Sequence, residues 1–338
     1  MPTLFTPALR IALGLLLGAS AQASLADAPA CPSNDLPTFV QAFAASPELQ
    51  QAFIATPLVE QRPVLDDRGR EVTARYKLTG DNRHLLTLLD AKAQAQAGLH
   101  SFWDDKTLVV NDPLGDVVQA FVFERAACWQ LVRVEQWSMD GLLDRQAPAN
   151  ESALQRQMRK ADLFLGYGGR EQYPLTTYFF ELGQRILLDA AHKGSAKAAV
   201  QAVSLGFSGM APELKPGEPE QLLLPYAQND VEAALMLSMY YCYPQVDTDA
   251  ESCQNPGKSE AILQRIAREQ DSASAYHYLG SFYAEGRWGK ADPVKALDCH
   301  QQALKRGDLE SLWPMTWWTR KGEMPAAGGR CLNEPPQA

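Results

Sequence analysis

Six cysteines, Cys31, Cys128, Cys242, Cys253, Cys299 and Cys331, carry the most definite chemistry in this 338-residue sequence. None stands in a C-x-x-C pair, so neither a zinc knuckle nor a redox-active dithiol is supported. An even, widely spaced set reads instead as a disulfide framework for an oxidising compartment. Of the fifteen pairings that six cysteines allow, proximity along the chain and the division into domains favour Cys31 with Cys128, Cys242 with Cys253, and Cys299 with Cys331.

Other chemical candidates are weaker. The five histidines, His84, His100, His192, His277 and His300, have no partners at metal-ligand spacing and form no H-E-x-x-H motif. Gly206-Phe207-Ser208-Gly209 has the look of a hydrolase elbow but lacks the strand before it and the second spacing glycine. Asp247, Asp249 and Glu251 alternate acids as a calcium loop does. They lack its central glycine and terminal bidentate glutamate, so a solvated acidic loop is the better reading. Gly166-Tyr167-Gly168-Gly169 reads as a helix stop, since no strand leads into it to form a phosphate cradle. For hydrolysis the first domain offers only His100, Asp104, Asp105 and Glu135, and nothing in their spacing makes them converge. The sequence therefore assigns no catalytic, cofactor or metal residue.

The elements around these residues fall into two blocks behind a leader. Arg10, the apolar run Ile11 to Leu17 and the small-residue sequence Ala21-Gln22-Ala23 before Ser24 form a secretory signal peptide over 1–23, with a core too short to span a bilayer. Residues 24–140 read as a small α+β domain. Asp35 and Ser46-Pro47-Glu48 start two helices carrying Phe39, Val40, Phe43 and Phe53. The period then changes to two: Pro57 to Leu65 and Glu71 to Leu78 flank the turn Asp66-Asp67-Arg68-Gly69 as a hairpin. Thr107 to Val110, Val117 to Glu124 and Cys128 to Trp137 follow. This order predicts a meander with helices on one face of an antiparallel sheet. Residues 141–154, with Gly141, Pro148 and Asn150, read as a linker, 155–320 as helices throughout, and 321–338 as a tail holding Cys331.

The helical block repeats. Within 268–307, Ala275, Leu279, Gly280 and Tyr283 share one helical face, Gly286 ends that helix, Asp292-Pro293 starts the next, and Lys295, Ala296, Ala303 and Gly307 complete the unit. Small Ala275 and Gly280 let two antiparallel helices approach, while Leu279 and Tyr283 fill the space between them. Gly194 with Ala198, Asn229 with Ala233, Leu237 and Tyr241, Asp271 with Ala275, and Gly307 with Ser311 hold the same phase, stepping by roughly 36 residues. One longer step contains Cys242, Pro244, the acidic loop, Cys253 and Pro256, an inserted loop with its own disulfide. An earlier, degenerate unit carries Leu163, Gly166 and Tyr167, then Ile186, Leu187 and Ala190. Pro314 interrupts the last unit, whose Trp313, Trp317 and Trp318 are expected to cover the open end.

Residues 268–307 resemble the Sel-one-like repeat, a bacterial relative of the tetratricopeptide repeat. The resemblance extends over about 155–318 and implies an all-α solenoid that binds proteins. Exported members of that family include envelope adaptors and immunity proteins that neutralise phospholipase-type toxins of type VI secretion. The first domain resembles, on its Phe-rich helices and late Cys-Trp strand, the cone-shaped domains related to nuclear transport factor two, a fold that assigns no function.

The expectation is a periplasmic, non-catalytic scaffold or adaptor holding another protein, with Tyr240, Tyr276, Tyr278 and Trp288 as interface aromatics. A toxin-neutralising immunity protein is the first alternative, and a small hydrolase or ligand-binding first domain the second. A net charge of -9, without clustered Lys and Arg, disfavours nucleic acid as a partner, and no later stretch stays apolar long enough to span a membrane.

Overall fold

The computed structural model describes residues 29–170, 175–244 and 253–333. The segment 1–23 expected as a signal peptide, the acidic residues Asp247, Asp249 and Glu251, and the last part of the expected tail lie outside the described residues.

Helices α1 (Leu36–Ala45) and α2 (Pro47–Phe53) begin where their caps dictate. Asp35 accepts from the Thr38 N–H at 3.0 Å and Ser46 from the Leu49 N–H at 3.2 Å. Each helix places a proline in its first turn, where no N–H is needed for the helical ladder. Strands β1 (Ile54–Leu65) and β2 (Glu71–Leu78) form the expected hairpin. Its turn is closed by Asp66, whose Oδ1 accepts from the N–H groups of Arg68 and Arg70, while Gly69 takes a φ of +73°.

A 3-10 turn (Arg83–Leu89) and α3 (Ala91–Gln96) lead into β3 (His100–Asp104), β4 (Thr107–Asn111), β5 (Val118–Arg125) and β6 (Trp129–Gln136). The spatial order is β2-β1-β6-β5-β4-β3, antiparallel except for the parallel pair β1 and β6. The sheet is thus mixed, not a plain meander, because the β1–β2 hairpin returns to lie beside the last strand. Parallel neighbours require a long crossover, and everything from β2 to β5 supplies it. The sequence reading omits β3, and the reason is physical. As an edge strand it is exposed at His100, Ser101, Trp103 and Asp104, so it shows no apolar alternation.

Helices cover both faces of the sheet, not one. Leu108, Val110, Phe121, Phe123, Leu131 and Val134 pack with Phe39, Phe43, Leu85 and Leu86 on one side. Val109, Val118, Ala120 and Trp137 belong to the core of the later helices on the other. Strand β4 is buried at every residue, as a strand sandwiched between two layers must be. The segment expected as a linker begins with a helix, α4 (Asp140–Arg145), whose Leu142 and Leu143 are buried.

The first long helices, α5 (Ala153–Gly168) and α6 (Thr176–His192), are bound directly to the sheet. Trp137 meets Tyr167 and Phe179 edge-on at 5.3 and 4.9 Å between ring centres. Lys160 pairs with Asp116, and Arg170 with Glu71 at 3.3 Å. At the β4–β5 turn Gly115 has a φ of +72°, and a Cβ there would lie 2.9 Å from the Phe164 ring and 3.0 Å from Leu182. Gly115→Ala should therefore lower the stability to urea by about 2 kcal/mol, from left-handed strain plus contact with two large side chains. A change within about 0.5 kcal/mol would show that this junction is loose.

Six further helices follow: α7 (Ala196–Phe207), α8 (Glu218–Leu223), α9 (Val231–Cys242), α10 (Pro256–Glu269), α11 (Ala273–Glu285) and α12 (Pro293–Lys305). A 3-10 turn (Leu309–Ser311) then leads into α13 (Leu312–Lys321). Contacts run from α5 to α6, α6 to α7, α7 to α9, and onward in order to α13. Ser195, Asp230 and Ser272 cap α7, α9 and α11, each accepting from the N–H of the alanine three residues on, Ala198, Ala233 or Ala275. All three alanines, and Ser311 in the fourth phase position, have no exposed surface. Gly286 ends α11 at a φ of +69°, and Asp292 caps α12 ahead of Pro293. A Cβ on Gly280 would lie 2.7 Å from the His300 ring, so a larger residue would force α11 and α12 apart. Pro314 does not interrupt α13. It sits in the first turn, where the N–H it lacks would have no helical acceptor.

The disulfides are Cys31–Cys128, Cys242–Cys253 and Cys299–Cys331, the pairs that proximity favours. They tie the chain start to the entry of β6, the end of α9 to the start of α10, and α12 to the C-terminal segment. None of the described helices is long and apolar enough to cross a membrane.

Candidate functional site

The four aromatics expected at an interface separate by helical face. Tyr276, with 5% of its surface exposed, lies beneath the Arg306 guanidinium at 4.2 Å. Tyr240, at 8%, stacks on Phe207, and its hydroxyl oxygen accepts from the Gly217 N–H at 3.0 Å. Trp288 is half-buried against Phe282 and Tyr283, and its indole N–H donates to Ser259 Oγ at 3.0 Å. These three are packing residues. Tyr278 alone is on the surface, 36% exposed. The distinction is present in the sequence, since Tyr276, Leu279, Gly280 and Tyr283 recur at core-facing helical spacing and Tyr278 falls outside it.

Among the described residues, the largest concentration of exposed apolar side chains lies on α13 and the turn before it. Leu309 is 72% exposed, Leu312 48%, Trp313 75% and Trp317 43%. Isolated exposed apolar residues need no explanation, but a contiguous group that includes two tryptophans does. With His277 and Ser281 of α11 and with Glu310 and Arg320 they border an open groove. Of the three tryptophans expected to cover the end of the array, only Trp318 does so, packed on His300 at 5.9 Å. Trp313 and Trp317 face away from it. Leu309, Trp313 and Trp317 recur every four residues, an apolar stripe that no following helix buries among the described residues.

Beneath the groove lies a serine, histidine and aspartate set that the sequence does not reveal. His277 Nδ1 is 2.9 Å from Ser311 Oγ and 3.2 Å from Asp308 Oδ2, and His300 Nδ1 is 3.3 Å from the same hydroxyl. A nucleophilic triad needs serine and aspartate on opposite ring nitrogens of one histidine, with the serine open to substrate. Here both sit on one nitrogen and Ser311 is fully buried. The cluster joins α11, α12 and α13 and does not activate a nucleophile.

The hydrolytic candidates of the first domain do not gather either. Glu135 is fully buried, its two oxygens taken by Arg133 Nε at 2.7 Å and the Trp137 indole N–H at 2.9 Å. His100 and Asp104 line a cleft between β3 and α6, with Tyr178, Glu181 and Arg185, and Asp105 makes the β3–β4 turn at a φ of +49°. Ser208 follows the end of α7 and donates its hydroxyl hydrogen to the Leu205 carbonyl at 2.9 Å, as a helix stop does. Gly166 and Gly168 lie in the last turn of α5. Among the described residues no three metal-ligating side chains come together.

No protein-family model and no curated protein matches this chain.

Proposed function

We propose that this protein is an exported, non-catalytic scaffold whose helices form a Sel-one-like solenoid and bind a protein through the groove of α11 and α13. The reading is carried by the exposed stripe of Leu309, Leu312, Trp313 and Trp317, at the end of a series of helices that start in one phase. Stacked helix pairs present extended surfaces of this kind, and exposed tryptophans on them are typical binding hot spots. Three disulfides suit an oxidising compartment, and with the leader over 1–23 they favour the periplasm.

The test is affinity capture from periplasmic extract with the disulfide-bonded chain as bait. Wild type should retain a protein that Trp313→Ala releases, with at least tenfold weaker binding, about 1.4 kcal/mol or more. Both baits should give the same circular dichroism, because Trp313 is exposed. Retention that is indifferent to Trp313 and Trp317, or turnover of an ester or phosphodiester by the chain, would refute the reading.

A further inference from the structure

We infer that the occupant of the α11–α13 groove is the same groove of a second copy of this chain, the two related by a two-fold axis that lies level with Met315 along α13 but on the groove side of the helix, Met315 itself packing on the core. This rests on the groove being a protein-binding surface and names what binds there.

The argument is the symmetry of one helical face. Trp313 and Trp317 stand two residues to either side of Met315, and Glu310 and Arg320 stand five to either side. Residues 313, 317 and 320 follow one another at four- and three-residue steps on α13 and so share one stripe, Glu310 stands in the 3-10 turn that leads into it, and all four border the groove. An α13 laid antiparallel on its copy about Met315 sets Trp313 against the copy's Trp317 and Glu310 against the copy's Arg320, each twice over. That is the self-complementarity an isologous interface requires. The parallel arrangement instead places Glu310 on Glu310 and Arg320 on Arg320, which like-charge repulsion disfavours. Both charged residues are exposed, and neither forms an ion pair among the described residues.

The array points the same way. Ser311 takes the fully buried place that Ala198, Ala233 and Ala275 take in the preceding phases, so α13 stands as the first helix of a further unit. In the best-formed unit that first helix, α11, packs against a second, α12. The places of Trp313 and Trp317 are held on α11 by His277 and Ser281, which border the 309–320 segment; among the described residues no helix follows α13, so on α13 that face is left for the copy. A chain of net charge -9 repels its own copies, but Arg320 and Lys321 relieve that repulsion at this face.

Sedimentation velocity and light scattering on the purified, disulfide-bonded protein test the proposal. Wild type should be dimeric, and Glu310→Arg or Arg320→Glu alone should weaken the dimer at least about tenfold. The combined variant E310R/R320E should restore it, and Trp313→Asp should give monomer with unchanged circular dichroism. A wild-type monomer at concentrations up to about 100 µM, or a combined variant no tighter than the single ones, overturns the pairing. If the chain is monomeric yet Trp313 is still needed to capture another protein, self-pairing falls and the protein-binding reading stands. If there is neither dimer nor capture, both fall.

Discussion

Trp137→Ala should be the most damaging single substitution outside the disulfides, lowering stability by about 5 kcal/mol in urea or thermal unfolding. The side chain is fully buried between the sheet and the first two long helices, and its ring meets Tyr167 and Phe179. Removing so large a ring from a close-packed site costs about 3–5 kcal/mol in lost transfer energy and cavity. A second loss adds to it. The indole N–H is one of the two donors that neutralise Glu135 at the centre of the sheet, and a buried carboxylate oxygen left without a donor costs about 1–3 kcal/mol more. Trp137→Phe separates the two effects, because it keeps most of the ring and removes only the N–H. Its loss should therefore be near the second figure alone. If Trp137→Ala costs less than about 2 kcal/mol, the sheet and the helices do not share a cooperative core. The unfolding transition should then also split in two.

The same residue shows how far the fold could be read in advance. Trp137 ends a strand that its β-branched and aromatic content marks in the sequence. Local pattern marks these strands but not which layers cover them, and helices were expected on one face only. The second layer is contributed by Phe164, Phe179 and Leu182, which are distant along the chain. The same limit hid the parallel pairing of β1 with β6, since local pattern marks strands and turns while order in a sheet is set by long-range packing. Capping chemistry was far more legible. Asp35, Ser46 and Asp292 begin their helices as their types require, because a cap is satisfied within three or four residues. The candidate site was legible only in part. Trp313 and Trp317 stood out by type, but their exposure is set by tertiary packing, in which no helix follows α13 among the described residues, and Tyr240 is drawn into the core by Phe207 of α7. The Ser311, His277 and Asp308 cluster needs α11 to meet the turn before α13, more than thirty residues on, so no local spacing announces it.

Acid should loosen the packing of α12 against α13 before it unfolds the rest of the molecule. His300 is fully buried against Gly280, Ser311 and Trp318, and its Nε2 has no hydrogen-bond partner. Burial, reinforced by the neighbouring His277 and only partly opposed by Asp308, pushes the imidazole down to about 4 from its ordinary 6.5. An unfolded chain therefore takes up a proton near pH 6.5 that the folded chain refuses until near pH 4. The stabilisation is complete above the unfolded value and is lost as pH falls between the two, by about 2 kcal/mol from pH 7 to pH 5. Paired carboxylates such as Asp189, held low by Lys193, and Glu220, held low by Tyr241, lose their contributions only at lower pH, so this window isolates the histidine. Urea unfolding at pH 7 and pH 5 should show the loss in wild type and a smaller slope in His300→Phe, which keeps a ring against Trp318 but cannot titrate. The slope matters and not the absolute stability, since the phenylalanine also leaves Ser311 with one fewer partner. Equal slopes in the two proteins would mean that the ring is already charged in the folded state, and that water reaches the pocket under α13. Because α13 is seated there through Trp318 and Ser311, amide exchange in α13 should quicken at pH 5 before that in α5 and α6 does, and the exposed Trp313 and Trp317 would lose their fixed spacing with it.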